Sequence, residues 1–184
     1  QQSFSENFTD LKPKSLYGKT KLFNEEYIER LNFKIDSVGL RFFSVYGPFG
    51  RPDMAYFSFT ESLKKGLTIR LHNNGAMARD MTFIDDAIDG ISKSIDFLMN
   101  SSKKIGSELF NIGNGSPILT LELLKILENN LKIEAKVENI MVSDESLYTH
   151  ADLDKSLSVL GYNPKINLEE GIKEFLSWHK TYER

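Results

Sequence analysis

Cysteine is absent from this 184-residue sequence, and histidine occurs only at positions 72, 150 and 179. Without cysteine the chain cannot form disulfides, zinc–thiolate sites or a cysteine nucleophile. The three histidines lie far apart and lack the short spacing that metal ligands usually have, so no metal site is predicted. No apolar run approaches the ~20 residues that a membrane-spanning helix needs, so no membrane partner is predicted.

The chain also lacks an excess of positive charge, because 23 lysines and arginines stand against 26 aspartates and glutamates. Nonspecific binding to nucleic acid usually requires a basic surface, so no nucleic-acid partner is predicted. The first fifteen residues contain neither the basic nor the apolar region of a signal peptide, and we expect a cytoplasmic protein. The sequence does contain 13 Phe, 7 Tyr and 40% hydrophobic residues, which is enough for a globular core.

Segments with helical spacing alternate with short apolar segments, which predicts an α/β fold. The predicted helices cover residues 16–31, 54–65, 86–98, 120–131, 152–160 and 167 onward, and the predicted strands cover 37–43, 68–72, 79–84, 108–112 and 134–141. Asp86, Thr120 and Asn167 are expected to cap the helices that begin at them.

Tyr17 and Lys21 are four residues apart on a predicted helix and therefore share one face. A phenol, with an ordinary pKa near 10, is a poor base at neutral pH, but a nearby ammonium favours the phenolate. A Tyr-x-x-x-Lys pair is thus suited to acid/base chemistry. The alternative is a surface tyrosine that happens to have a lysine neighbour.

A glycine-rich phosphate loop would be the natural companion of such a pair. Gly113-Asn114-Gly115 follows a predicted strand and precedes a helix, but it lacks a third glycine and is soon followed by Pro117. We interpret it as a structural turn, and no other segment of these residues has the pattern of a phosphate loop.

Five blocks of sequence occur in the order typical of the extended short-chain dehydrogenase/reductase family. They are Ser15-Leu16-Tyr17-Gly18-Lys19-Thr20-Lys21, Leu40-Arg41-Phe42-Phe43-Ser44-Val45-Tyr46-Gly47-Pro48, Arg51-Pro52-Asp53-Met54-Ala55, Arg79-Asp80-Met81-Thr82-Phe83-Ile84-Asp85-Asp86 and Asn111-Ile112-Gly113-Asn114. Their arrangement resembles nucleotide-sugar epimerases, and UDP-glucuronate 4-epimerases in particular. The resemblance runs from Ser3 to the C-terminus.

The resemblance implies an α/β fold consisting of the C-terminal part of a Rossmann-type parallel sheet interleaved with a small α/β substrate-binding lobe. Residues 1–47 and 81–113 would belong to the NAD-binding part, and 48–80 and 114–184 to the lobe. The family's initial βαβ unit, with its Gly-x-x-Gly-x-x-Gly loop, has no counterpart in these residues. We therefore expect a C-terminal portion that is inactive alone.

Within this resemblance, Tyr17 would remove the proton from the sugar 4-hydroxyl while hydride passes to NAD. Lys21 would hold the nicotinamide ribose and favour the Tyr17 phenolate. The resulting 4-keto sugar would turn over and take the hydride back on its other face. The complete enzyme would be a homodimer, although this chain includes only one of the two helices that form the family's dimer bundle.

The resemblance also assigns residues to the UDP-sugar substrate. Arg79 would bind the diphosphate, with an ion pair to a neighbour such as Asp80 as the alternative. Ser44 and Arg51 would hold a uronate carboxylate, although Arg51 could instead be a solvated loop charge. Glu145 replaces the Asp that contacts the uridine ribose in the family, and it could equally signal a different nucleotide.

Two other functions fit the same residues. One is a different NAD-dependent nucleotide-sugar epimerase, or a dehydratase, whose distinguishing Asp-Glu pair would lie in a segment that these residues do not include. The other is a noncatalytic unit that binds a nucleotide sugar.

The missing glycine loop generates a test. We expect residues 1–184 alone to bind NAD weakly, because that loop and its helix N-terminus supply the pyrophosphate site. Titration calorimetry with NAD measures this, and a dissociation constant in the low micromolar range would contradict it.

Overall fold

Helices and strands alternate along the chain, which confirms the predicted α/β class. The computed structural model describes residues 2–8, 11–13, 15–31, 34–102, 104–142 and 147–182. The helices are α1 (Leu16–Glu29), α2 (Ala55–Lys65), α3 (Ile84–Asn100), α4 (Thr120–Leu131) and α5 (Leu168–Tyr182). The strands are β1 (Ser37–Phe42), β2 (Ser44–Tyr46), β3 (Thr68–His72), β4 (Ala78–Phe83), β5 (Ser107–Ile112), β6 (Pro117–Leu119) and β7 (Lys136–Ile140).

Most of the strand pairs are parallel. β1 pairs with β5, β2 pairs with β4, and β3 pairs with β7, each in parallel orientation. β6 adds to the other edge of β4 in antiparallel orientation. Because parallel strands need a long crossover between them, α2 and β3 lie in the chain between β2 and its partner β4.

The predicted strand over residues 37–43 corresponds to β1, and a second strand, β2, follows it in a different pairing. β1 ends at Phe42, and the Phe43 N–H still donates to the Ile112 carbonyl at 3.1 Å. The chain then shifts to β2, which begins at Ser44 and runs parallel to β4. The prediction ended at Phe43 and did not include the three residues of β2.

Two apolar cores lie on either side of β2. The larger packs α2, α4 and α5 against β2, β3 and β4, and includes the buried rings of Tyr46, Tyr56 and Phe175. The smaller is centred on Ala87, Ile112 and other residues near β1 and β5. The proposed division into two interleaved lobes stays a prediction.

The buried carboxylate of Asp80, on β4, joins three distant parts of the chain. Its Oδ1 accepts the Asn114 N–H at 2.6 Å, and its Oδ2 accepts the N–H groups of Gly115 and Ala151 at 3.0 and 2.9 Å. A Cβ on Gly113 would lie 2.4 Å from the Cβ of Ala151, so only glycine fits this close approach. Residues 113–115 therefore form a structural turn in which Asp80 binds the N–H groups of Asn114 and Gly115, although the turn leads into β6 and not directly into a helix.

The expected caps of α3 and α4 are wrong. α3 begins at Ile84, and Asp86 accepts the N–H groups of Lys165 and Ile166, both at 3.0 Å, instead of capping the helix. Thr120 begins α4, but its hydroxyl donates to the Met77 carbonyl at 3.0 Å. Both side chains serve long-range contacts that local spacing cannot reveal.

The expected cap of α5 is confirmed, whereas the strand β6 was not predicted. Asn167 caps α5 as expected, because its Oδ1 accepts the Glu170 N–H at 3.0 Å. β6 was not predicted, since Pro117 indicated a turn. Proline is tolerated at the first residue of an edge strand, which is the position that it occupies here.

The Asp80 network predicts a specific loss of stability. We expect Asp80→Asn to lower the free energy of unfolding by about 1–3 kcal/mol, because the amide turns an N–H donor toward a backbone N–H that then lacks an acceptor. Urea unfolding with an unchanged m-value measures the change. Asp89→Asn is the matched control, since Asp89 forms only a part-exposed pair with Lys93. Equal losses in the two variants would contradict the role of Asp80.

Candidate active site

The first turns of α1 bring the predicted acid/base pair together. The Ser15 Oγ accepts the Gly18 N–H at 3.0 Å and so fixes the start of the helix. Tyr17 lies in the first turn and is 71% exposed. The Lys21 Nζ lies 5.1 Å from the centroid of the Tyr17 ring, so the two side chains share one face as their spacing predicts.

A second charged group lies in the loop that connects β2 to α2. Arg51 forms an ion pair with Asp53, in which Nε donates to Oδ1 at 3.0 Å and Nη2 donates to Oδ2. The two side chains are 75% and 64% exposed. Arg51 is therefore largely exposed and is paired with a carboxylate.

The ion pair between Arg51 and Asp53 changes the pKa of both groups. The hydrogen bond that Arg51 donates to Asp53, followed by the charge of Asp53, raises the pKa of Arg51. The same hydrogen bond lowers the pKa of Asp53. Both groups are therefore held in their charged forms by this contact.

The loop is anchored to the larger core. The Phe49 ring packs on Trp178 of α5 with centroids 5.1 Å apart, although Phe49 is 86% exposed. A Cβ on Gly50 would lie 1.6 Å from the Tyr56 Oη, so the tyrosine leaves room only for glycine. Tyr56 is buried, and this burial raises the pKa of its phenol.

Ser44 and Arg79 are placed by the register of β2 and β4. Ser44 pairs with Met81, and Arg79 precedes Met81 by two residues, so all three side chains leave the same face of the sheet. Arg79 is half-buried, and its Nη1 donates to the Ala78 carbonyl at 3.2 Å. Glu145 lies outside the described residues.

Asp53 is the site residue that the sequence did not single out. Its signal was local: an aspartate two residues after Arg51, with Pro52 between them. Within the described residues, no group of three or more histidines and carboxylates is arranged to hold a metal ion. The described helices are all too short or too polar to cross a membrane.

Comparison with known proteins decides the family. The model of the NAD dependent epimerase/dehydratase family matches residues 1–113. The chain belongs to this family. The predicted family membership is therefore confirmed.

Two curated relatives are similar to almost the whole of this chain. UDP-glucuronate 4-epimerase 3 of Arabidopsis thaliana is 41% identical over 97% of this chain and 45% of its own length. An uncharacterized protein of Methanocaldococcus jannaschii, MJ1055, is 42% identical over 95% of this chain and 53% of its own length. The chain thus spans about half the length of the curated relatives that it matches.

Two solved structures are also similar to almost the whole of this chain. UDP-glucuronic acid 4-epimerase from Bacillus cereus, in complex with UDP-glucuronic acid and NAD, superposes with a TM-score of 0.86 at 30% identity, covering 99% of this chain and 57% of that one. MoeE5, in complex with UDP-glucuronic acid and NAD, gives a TM-score of 0.88 at 26% identity, covering 99% and 60%.

Proposed function

We propose that this chain carries the acid/base pair and the sugar-binding residues of an NAD-dependent UDP-glucuronate 4-epimerase. The observation that supports this most strongly is the Tyr17–Lys21 pair, whose side chains share one exposed helix face. Epimerisation of an acidic sugar needs an acid/base group for the 4-hydroxyl, and the exposed Arg51 offers a cation for the carboxylate. By complete enzyme we mean this chain together with a glycine-rich NAD-binding unit.

Tyr17 is the proposed general base. Its side chain is largely exposed, and the Lys21 ammonium lies on the same helix face. Tyr17 takes the proton of the 4-hydroxyl as C4 is oxidised, and it returns the proton when C4 is reduced on its other face.

Tyr17 and Lys21 also fit the nicotinamide ribose, since both present polar groups from one exposed helix face. Bound NAD would supply the acceptor and donor of hydride at C4. The role of the chain is to hold the ribose and the sugar so that proton transfer occurs at a fixed distance.

Four residues are proposed to bind the UDP-sugar. Ser44 and Arg51 hold the uronate carboxylate, Arg79 binds the diphosphate, and Glu145 contacts the uridine ribose. Ser44 and Arg79 share a sheet face, which supports their action on one ligand. Guanidinium suits both anions, because its parallel N–H groups match paired oxygens.

Homodimerisation of the complete enzyme and its cytoplasmic location remain predictions. In support of a dimer, α1 exposes Phe23 and Tyr27, whose rings stack with centroids 6.2 Å apart.

Loss of the Tyr17 hydroxyl tests the acid/base role. In the complete enzyme, we expect Tyr17→Phe to lower kcat for 4-epimerisation by at least roughly 100-fold, because the proton acceptor is removed. The free energy of unfolding should change little, because the Tyr17 side chain is exposed. The identical change at another exposed α1 tyrosine, Tyr27→Phe, is the control. Retention of more than a tenth of the wild-type rate would exclude Tyr17 as the base.

Removal of Arg51 tests substrate choice. We expect Arg51→Ala to lower the preference in kcat/KM for UDP-glucuronate over UDP-glucose by roughly tenfold, because charge-assisted bonds to the carboxylate are lost. Asp53 pairs with Arg51, so a neutral sugar would not leave an unpaired cation.

Arg70→Ala is the matched control for this substitution. Arg70 is also 75% exposed and paired with a carboxylate, that of Glu138. An unchanged preference in Arg51→Ala, or an equal loss in Arg70→Ala, would reject the carboxylate role and favour a neutral sugar.

A further inference from the structure

Asp53 occupies one particular edge of the Arg51 guanidinium. It accepts from Nε at 3.0 Å and from Nη2, which together form the side edge of the planar group. A guanidinium has five N–H donors, and this pairing uses two of them. Three N–H groups remain, one on Nη2 and two on Nη1. At the end edge, one N–H of Nη2 and one N–H of Nη1 are parallel and match the two oxygens of a second carboxylate.

A β-turn in the backbone brings Arg51 and Asp53 together. The Met54 N–H donates to the Arg51 carbonyl at 3.2 Å, which closes a β-turn with Pro52 and Asp53 at its centre. Proline fixes the first central position of such a turn. α2 begins directly afterwards at Ala55, so the carboxylate of Asp53 projects from a short, constrained segment.

We propose that Asp53 is a positioning residue that orients the end edge of Arg51 toward the carboxylate of an acidic sugar. The inference rests on the proposed function. An exposed arginine is flexible, and a ligand that orders it loses affinity in doing so. Because Asp53 has already ordered the guanidinium, an acidic sugar binds Arg51 without that loss.

The negative charge of Asp53 acts in the opposite direction, because it repels a second carboxylate. Both side chains are largely exposed, at 75% and 64%, so solvent and salt screen this repulsion. The two hydrogen bonds that fix the guanidinium act at contact distance and are screened less than the repulsion, which acts across the width of the guanidinium. We therefore expect the positioning effect to exceed the repulsion.

The test measures the dissociation constants of UDP-glucuronate and UDP-glucose by titration calorimetry. It uses the complete enzyme with NAD, in a Tyr17→Phe background that prevents turnover. The variants are Asp53→Ala, Asp53→Asn, Arg51→Ala and the Arg51→Ala/Asp53→Ala double variant. Glu169→Ala is the matched control, since Glu169 is a 64% exposed carboxylate paired with Lys173 on α5.

We expect Asp53→Ala to lower the preference for UDP-glucuronate roughly threefold to tenfold, with less than a twofold change for UDP-glucose. Asp53→Asn keeps one acceptor and should restore part of the preference. In the Arg51→Ala background, loss of Asp53 should lower the preference no further, because no guanidinium remains to be oriented. Glu169→Ala should change neither constant.

An unchanged or increased preference in Asp53→Ala would overturn the proposal, as would a preference that rises from Asp through Asn to Ala. Reduced thermal stability with an unchanged preference would also overturn it, because it would reveal a merely structural role. Failure of the proposed function would give a different experimental result from failure of the Asp53 proposal. If the enzyme prefers UDP-glucuronate in binding but the unsubstituted enzyme does not epimerise it, the epimerase assignment fails and the role of Asp53 stands.

Discussion

The buried carboxylate of Asp80 is the constraint on which the arrangement of the sheets depends. A charge in the interior is costly unless hydrogen bonds replace its water, and three backbone N–H groups do so here. Those groups come from the turn after β5 and from the segment at Ala151, which fixes β4 against both. Arg79 and Met81 leave the opposite face of β4 at a defined level, and Ser44 lies beside Met81.

The residues that are proposed to act in binding and catalysis lie at the edges of this framework. β2 leads directly into the loop that carries Arg51, and Phe49 and Gly50 hold that loop against Trp178 and Tyr56. α1 differs, because none of its described side chains is buried. The proposed site thus combines a loop held by the core with an exposed helix.

Features that arise from local spacing could be predicted from the sequence. Tyr17 and Lys21 share a helix face because they are one turn apart, and Asn167 caps α5 because the N–H that donates to it is three residues away. The features that were missed depend on partners distant in the chain. Asp86 binds the backbone at Lys165 and Ile166, about 80 residues away, and no spacing rule identifies such a partner.

Asp53 is an exception, since its partner is only two residues away. The turn at Pro52 brings the Asp53 carboxylate to one edge of the Arg51 guanidinium. Sequence reasoning named Arg51 as a candidate site residue, which stays a prediction, and the orientation of its guanidinium required coordinates.

Proton NMR of UDP-glucuronate incubated with the complete enzyme and NAD tests the proposed chemistry most directly. The anomeric signal of the substrate should diminish as that of its C4 epimer appears. The mixture should reach the same equilibrium from either sugar, with no net conversion of NAD. Elimination of water from the sugar, accumulation of reduced NAD, or no reaction with an acidic sugar would contradict a 4-epimerase.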